Sequence, residues 1–367
     1  MKVVFRGALA AGALLVTASA AATPPLPMPP MPPENAKAFL TTPDPKLTST
    51  GDPKVDAYRD RLLTDYTSAP WRPYLSRLFA GVRADPKIVE RFDRLASIRA
   101  PKDYVRHYVT PERIRRGRQL YRQLKATTKV KPTEMPLELR IALWGMLADY
   151  GARPPQYDAI QALLVLGAYE RGIAASDFQL HHAARLVLAG TVPRTRLKAY
   201  ETGRLSQAQL LPDHFEEWSR DGNGDKRIDP WTNRADILAS IGAGDWSQYR
   251  GIPVYVAVRP ARFDPSDRMQ ARMARTLAQP VNVPTGILQR WDGRPWKDSE
   301  RSWSGTYVEP YGDKGPAFLM LFPAWPTNSR NPARPRYFDE TSDMGFALAA
   351  GLLADAIAGR PVPSVPK

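Results

Sequence analysis

The chain has 367 residues, enough for one large domain or two closely packed lobes. It contains no cysteine, which excludes a disulfide framework and a lipid anchor on cysteine. Its net charge of +15 favours an anionic polymer as a partner, and no nucleic-acid-binding motif accompanies that charge, so no nucleic-acid partner is predicted.

The N-terminal residues 1–22 have the pattern of a secretory signal peptide. Lys2 and Arg6 precede a short apolar run at 7–16, and small residues follow at 18–22. The apolar run is too short to span a bilayer, so the mature chain is predicted to have no transmembrane span. Removal of this segment would lower the net charge of the chain to +13. The signal-peptide pattern predicts an exported protein located in the bacterial periplasm.

The next segment, residues 23–55, is predicted to be a proline-rich linker. Seven of the ten residues at 24–33 are proline, which lacks the backbone donor that helices and sheets need. This composition predicts a stiff tether. The main domain is predicted at 56–361, with a short C-terminal tail at 362–367.

Apolar residues at helical spacing predict that most of the main domain is α-helical. Thr110 followed by Pro111 is a typical start for one of these helices. The segment after Pro136 is apolar on nearly every face, which predicts central burial. The predicted helices cover about 68–79, 88–95, 111–126, 136–147, 157–166, 178–189 and 346–357.

Two β-type runs, 252–258 and 317–322, flank a segment of different character. Residues 259–316 are rich in Pro, Trp, Asp and Gly and are predicted to form a loop-dominated elaboration with short strands. The predicted fold class is therefore α+β and predominantly α. The densest basic run, Arg113-Ile-Arg-Arg-Gly-Arg118, is predicted to be a solvated helix face, since charge runs usually are.

Several motifs, in the correct order, resemble those of the lytic murein transglycosylases of the membrane-bound lytic transglycosylase B type. They are Trp144-Gly-Met-Leu-Ala-Asp-Tyr-Gly151, Gln207-Ala-Gln-Leu-Leu-Pro212, Asp221-Gly-Asn-Gly-Asp225 and the apolar helix at 346–359. The resemblance implies a lysozyme-like helical core with an additional helical lobe and a small β-containing elaboration. It also implies peptidoglycan glycan strands as the ligand.

The first of these motifs resembles a catalytic helix without its acid. In the family, the pattern Trp-Gly-x-Glu carries a glutamate that protonates the oxygen between N-acetylmuramic acid and N-acetylglucosamine and then acts as a base. Leu147 stands at that position and has no proton to give. Asp149 is predicted to face the opposite side of the helix, and Glu138 to lie about 13 Å away along it. No catalytic residue is therefore assigned.

Other positions that face the sugar in the family also differ. The family's serine corresponds to Tyr200, and a family tyrosine near the C-terminus corresponds to Phe346. Gln207 and Gln209 match the family, and their amides suit hydroxyl and N-acetyl groups, although helix packing is an alternative role. These four residues are the predicted substrate-binding set. Core packing is favoured over sugar stacking for most of Trp144, Trp218, Trp231 and Trp246.

A loop beginning at Asp221 has the spacing of an EF-hand. Asp221, Asn223 and Asp225 occupy positions one, three and five, and the carbonyl of Arg227 occupies position seven. A lysine replaces the turn glycine, and a threonine replaces the acid at position twelve. A weak Ca²⁺ site, which the resemblance favours, and an Asx-turn loop remain alternative interpretations. No cofactor is required by either.

Three hypotheses of function follow. The leading one is a periplasmic, catalytically impaired homologue that binds peptidoglycan. The second is an active enzyme with a relocated acid, for which Glu201, Asp213 and Glu217 are candidates because they flank the motif at 207–212. The third is a structural domain that binds a cell-wall protein partner through residues 259–316.

Overall fold

The computed structural model shows a mainly helical protein with two small antiparallel sheets. It describes residues 45–65, 71–98, 100–126, 135–171, 177–243, 255–259, 266, 281–285, 288–301, 304–308, 310, 315–321 and 340–363. The predicted signal peptide and the proline run lie outside the described residues. The predicted fold class, α+β and predominantly α, is confirmed.

The helices and strands are defined as follows. The helices are α1 (Pro53–Asp65), α2 (Trp71–Phe79), α3 (Pro86–Ala96), α4 (Pro101–Tyr108), α5 (Pro111–Lys125), α6 (Leu137–Ala148), α7 (Ala159–Ala168), α8 (Asp177–Leu188), α9 (Phe215–Trp218), α10 (Arg234–Ile241) and α11 (Glu340–Ala358). The strands are β1 (Tyr157–Asp158), β2 (Lys198–Ala199), β3 (Tyr255–Val258), β4 (Val281–Pro284), β5 (Ser304–Val308) and β6 (Ala317–Met320).

Local sequence signals set several of these boundaries. The Thr110 hydroxyl accepts a hydrogen bond from the Arg113 amide (3.3 Å), which confirms the predicted start of α5. The helix predicted from Tyr157 begins only at Ala159, because Tyr157 belongs to β1 and Asp158 caps the helix. Helix α1 begins at Pro53, inside the predicted linker.

Helix α6 lies at the centre of the fold. It packs against α5, α10 and α11, and α11 also packs against α4 and α5. Ile141, Ala142 and Leu143 are completely buried on successive faces of α6. The predicted central burial of this segment is therefore confirmed.

The larger sheet joins the two predicted β-type runs. Its strand order is β3-β6-β5-β4, and all neighbours are antiparallel. Tyr255 in β3 lies opposite Met320 in β6, so the two runs pair directly. Strands β4 and β5, which both lie within 259–316, extend the sheet from β6. The elaboration is thus attached to the domain through the strands that flank it.

The prediction of a solvated face for the basic run on α5 holds only in part, because Arg115 and Arg118 are exposed whereas Arg113 and Arg116 are half-buried. Arg113 donates to the carbonyls of His107 and Tyr108 at the end of α4 (3.0 and 2.9 Å). Arg116 donates to Asp149, the residue that follows α6. Arg118 donates to the carbonyl of Ala356 in α11 (2.7 Å). These three arginines bond to the carboxyl-terminal ends of three helices, where unpaired carbonyls attract cations.

Within the part of the chain that the structure describes, no helix is both long enough and apolar enough to cross a membrane.

The buried His181 on α8 predicts a loss of stability in acid. Burial lowers its pKa to about 4, although the nearby Asp177 opposes this shift. The unfolded chain takes up this proton near pH 6.5, so it binds more protons than the folded protein as the pH falls from 6.5 to 4. The free energy of unfolding should therefore drop over that range, by up to about 3 kcal/mol from this group.

Urea unfolding of the wild type and of His181→Gln at pH 7 and pH 4.5 measures this contribution. We expect the variant to lose less stability on acidification than the wild type. Equal losses in the two proteins would contradict the role of His181.

Candidate functional site

The candidate site is built on an unusual turn at the end of α6. The helix ends at Ala148, and Asp149, Tyr150 and Gly151 follow with φ angles of 48°, 53° and 91°. Glycine adopts this left-handed backbone freely, but for other residues it costs about 1–2 kcal/mol each. Tertiary contacts must therefore hold Asp149 and Tyr150 in place.

Helix α5 supplies the main contacts to this turn. Arg116 donates to the Asp149 carboxylate (2.9 Å) and to its carbonyl (2.7 Å). The Tyr150 hydroxyl donates to the carbonyl of Arg113 (2.8 Å). The Tyr150 ring lies over Gly145 so closely that a Cβ there would overlap it. The first glycine of the motif therefore makes room for the ring that stabilises the turn.

These contacts correct the predicted position of Asp149, whereas the position of Glu138 agrees with the prediction. Asp149 does not lie across the helix from Leu147, because α6 ends between the two residues. Its carboxylate instead pairs with Arg116 on α5. Glu138 lies at the opposite end of α6 and pairs with Arg360 (2.8 Å).

Leu147 and Gln209 are brought together through the backbone of α6. The Leu147 side chain is half-buried and packs against the hydrophobic core. Its carbonyl accepts a hydrogen bond from the Gln209 amide (2.7 Å), and Arg153 also approaches this carbonyl (3.5 Å). The Gln209 side chain therefore caps one of the last carbonyls of the helix.

Arg153 connects this carbonyl with Tyr200 and Glu201. The Tyr200 hydroxyl donates to the Arg153 carbonyl (2.6 Å), and the Arg153 guanidinium lies 5.3 Å from the centre of the Tyr200 ring. One guanidinium nitrogen lies 3.4 Å from the Glu201 carboxylate. Burial raises the pKa of Tyr200, so its phenol remains a donor at neutral pH. Four residues that the sequence analysis singled out are therefore connected through Arg153 and the Leu147 carbonyl: Leu147, Tyr200, Glu201 and Gln209.

Phe346 reaches this group through one further aromatic ring. Its ring centre lies 6.0 Å from that of Tyr108, at an interplanar angle of 78°. Burial raises the pKa of Tyr108, and the charges of Arg153 and Glu201 both act on this phenol. Phe346 is therefore at the edge of the same site.

Gln207 has both ends of its amide engaged within the protein. Its oxygen accepts from the Trp144 indole (2.9 Å), and its nitrogen donates to the Trp231 carbonyl (2.7 Å). Both tryptophans are buried, as core packing requires. Trp218 stacks on His214, and Trp246 lies outside the described residues.

Two of the alternative acids lie apart from this group. The Asp213 amide donates to the Gln179 side chain (3.2 Å), and the Asp213 carboxylate lies 3.6 Å from a His214 ring nitrogen. Glu217 is exposed on the short helix α9. Within the described part of the chain, neither carboxylate contacts Leu147.

The loop that begins at Asp221 forms a series of Asx-type hydrogen bonds. The Asp221 carboxylate accepts from the amides of Gly224 and Lys226 (2.6 and 3.0 Å). Asn223 accepts from the Asp225 amide (3.1 Å), and Asp225 in turn accepts from that of Arg227. The described residues include no group of three or more histidines and carboxylates placed to hold a metal ion.

Sequence reasoning missed three residues of this site: Tyr108, Arg116 and Arg153. Arg116 was assigned to a solvated face, and the other two carried no motif. Proximity to the motif at 144–151 was the only signal for Arg153, which follows Gly151 by two positions.

Comparison with known proteins shows the family of this chain. Residues 61–324 match the family model described as the transglycosylase SLT domain. Because the match covers more than half of the chain, the protein belongs to this family of lytic transglycosylases. No curated protein sequence gives a match.

Solved structures of the family share the fold. SltB3 from Pseudomonas aeruginosa, in complex with NAG-NAM-pentapeptide, is 26% identical with a TM-score of 0.60, over 85% of this chain and 81% of SltB3. SltB1, a soluble lytic transglycosylase from the same organism, is 22% identical with a TM-score of 0.58, over 84% and 99% of the two chains. The Escherichia coli lytic transglycosylase Slt35, in complex with calcium, is 15% identical with a TM-score of 0.56, over 84% and 93%.

The contacts of Gln207 predict a structural effect of its removal. In Gln207→Ala, the Trp144 indole and the Trp231 carbonyl lose their buried partner, which should lower the free energy of unfolding by about 1–3 kcal/mol. Gln119→Ala, on an exposed position of α5, is the control and should change it by less than about 0.5 kcal/mol. Chemical denaturation measures both, and equal small effects would contradict the structural role.

The loop at 221–232 can be tested for calcium directly. If its carboxylates serve only the loop backbone, millimolar Ca²⁺ should leave the melting temperature unchanged, whereas Asp221→Ala should lower it without added metal. A rise in melting temperature with Ca²⁺ that disappears in Asp221→Ala would instead identify a weak calcium site.

Proposed function

We propose that this protein is an exported, catalytically impaired transglycosylase of the membrane-bound lytic transglycosylase B type that binds peptidoglycan glycan strands. The observation that carries the proposal is Leu147 at the family's acid position, in a site whose neighbours have also changed. SltB3 supports the ligand class, since it was crystallised with both NAG-NAM-pentapeptide and NAG-anhNAM-pentapeptide and is 26–28% identical to this chain.

The reaction requires a group that delivers a proton to the glycosidic oxygen. The Leu147 side chain cannot do so, and it packs against the hydrophobic core. Glu201 is the nearest alternative within the site, but its carboxylate is engaged with Arg153. Asp213 and Glu217 belong to a different part of the structure.

The surroundings of Tyr200 also argue against cleavage. Tyr200 fills space where the family has a serine among small residues, and its ring is nearly completely buried. Its hydroxyl is bonded to the Arg153 carbonyl, so the ring is fixed rather than free to move aside. The positively charged exported chain would still attract an anionic wall polymer.

Incubation of the mature protein with purified sacculi tests the proposal. We expect the protein to pellet with the sacculi and to release no anhydromuropeptides detectable by mass spectrometry. Release of these products by the wild type would contradict catalytic impairment, and its loss in Glu201→Gln would then identify a relocated acid. A failure to pellet would contradict binding and favour a protein partner at residues 259–316.

Restoration of the acid alone should not restore cleavage. The Arg153 guanidinium lies 3.5 Å from the Leu147 carbonyl, and a cation this close favours the charged form of a glutamate introduced at 147. We therefore expect Leu147→Glu to release no more anhydromuropeptides than Leu147→Gln, the matched control without a proton donor. Release of anhydromuropeptides by Leu147→Glu but not by Leu147→Gln would show that the rest of the site can still support cleavage.

A further inference from the structure

A pocket of about 390 Å³ lies beside Tyr200 and Glu201 and is bordered by several cationic side chains. Arg91 and Arg94 belong to α3. Arg153 comes from a different segment of the chain, directly after the turn that ends α6. Glu201 is the single carboxylate in its lining. The pocket wall therefore carries an excess of positive charge.

Two of these guanidiniums are restrained by aromatic rings. Arg91 lies 5.9 Å from the centre of the Tyr157 ring, and Arg153 lies 5.3 Å from that of Tyr200. Arg91 also has a side-chain hydrogen bond to Tyr157, which leaves other N–H groups of its guanidinium able to donate.

The existing partners of these arginines leave binding capacity. Among the described residues, no carboxylate pairs with Arg91. Arg94 pairs with Glu90 at 2.6 Å, but both side chains are largely exposed, and such pairs are weak and easily exchanged. Arg153 pairs with Glu201, and this one carboxylate cannot neutralise Arg91, Arg94 and Arg153 together.

We infer that this pocket binds a carboxylate carried by the peptide stems of the glycan, with Arg91 and Arg94 as the residues that recognise it. Guanidinium groups match the planar geometry of a carboxylate and bind it with two parallel hydrogen bonds. The pocket volume suits a short peptide segment rather than a whole disaccharide-peptide. The inference rests on the proposed function and assigns the stem-binding part of the same site.

The test compares glycan strands that carry their peptide stems with strands from which an amidase has removed them. We expect Arg91→Gln/Arg94→Gln to bind the stem-bearing strands about tenfold more weakly than the wild type, as the loss of charge-assisted hydrogen bonds predicts. Its affinity for the stripped strands should be unchanged. Arg153 is left intact because it also binds the backbone of the site.

Arg115→Gln is the matched control. Arg115 is an exposed arginine on α5 that pairs with Glu112 at 2.7 Å, much as Arg94 pairs with Glu90. Its removal subtracts one positive charge far from the pocket lining, and it should alter neither affinity. Melting temperatures close to that of the wild type would show that all variants are folded.

Each other outcome has a distinct meaning. Equal wild-type affinity for both kinds of strand would overturn the stem assignment while leaving glycan binding intact. An equal loss on both strands in the double variant would show that only general charge is involved, and would also overturn it. If inorganic phosphate bound to the pocket and the wild type showed no stem preference, the anion would be phosphate rather than a peptide carboxylate. Binding to neither strand would refute the proposed function itself.

Discussion

The left-handed turn at Asp149, Tyr150 and Gly151 is the constraint on which the rest of the site depends. Two residues with side chains adopt a backbone that usually requires glycine. Arg116 and the backbone of Arg113 hold them there, so α5 fixes the point at which α6 ends. Because the turn sets the direction of the chain that follows, it also determines where Arg153 enters the site.

From that position, Arg153 connects the end of α6 with Tyr200 and Glu201. Its guanidinium contacts Tyr200, Glu201 and the last turn of α6, while its carbonyl accepts the Tyr200 hydroxyl. Arg153, which comes from a different segment of the chain, therefore contacts both the Tyr200 ring and the Glu201 carboxylate. Leu147, Tyr200 and Glu201, which the proposed function treats as departures from the family pattern, are thus connected through Arg153, which is why we interpret them together.

The helical framework was predictable from sequence because its signals are local. The cap at Thr110 and the all-round apolarity after Pro136 required no knowledge of the tertiary structure. The end of α6 was predicted to within one residue, but the left-handed conformation of Asp149 and Tyr150 was not predictable, since sequence rules associate that conformation with Gly151. The contacts that allow this come from Arg116, which is 33 residues away. The convergence of Leu147 and Gln209 followed from motif resemblance, whereas the role of Arg153 depends on long-range packing.

The arginines of this protein show that a basic run in the sequence can make its contacts within the fold. Arg113, Arg116 and Arg118 form a continuous basic run, yet they bond to carbonyls and a carboxylate at helix ends and so act within the fold. The pocket arginines come from two separate segments and form no run in the sequence. A carbonyl at a helix end carries only a partial charge, but it lies in a fixed position and needs no counterion, so it holds a guanidinium without neutralising it. The positive charges of Arg113 and Arg118 therefore persist although both side chains are bonded, whereas the charge of Arg116 is balanced by Asp149.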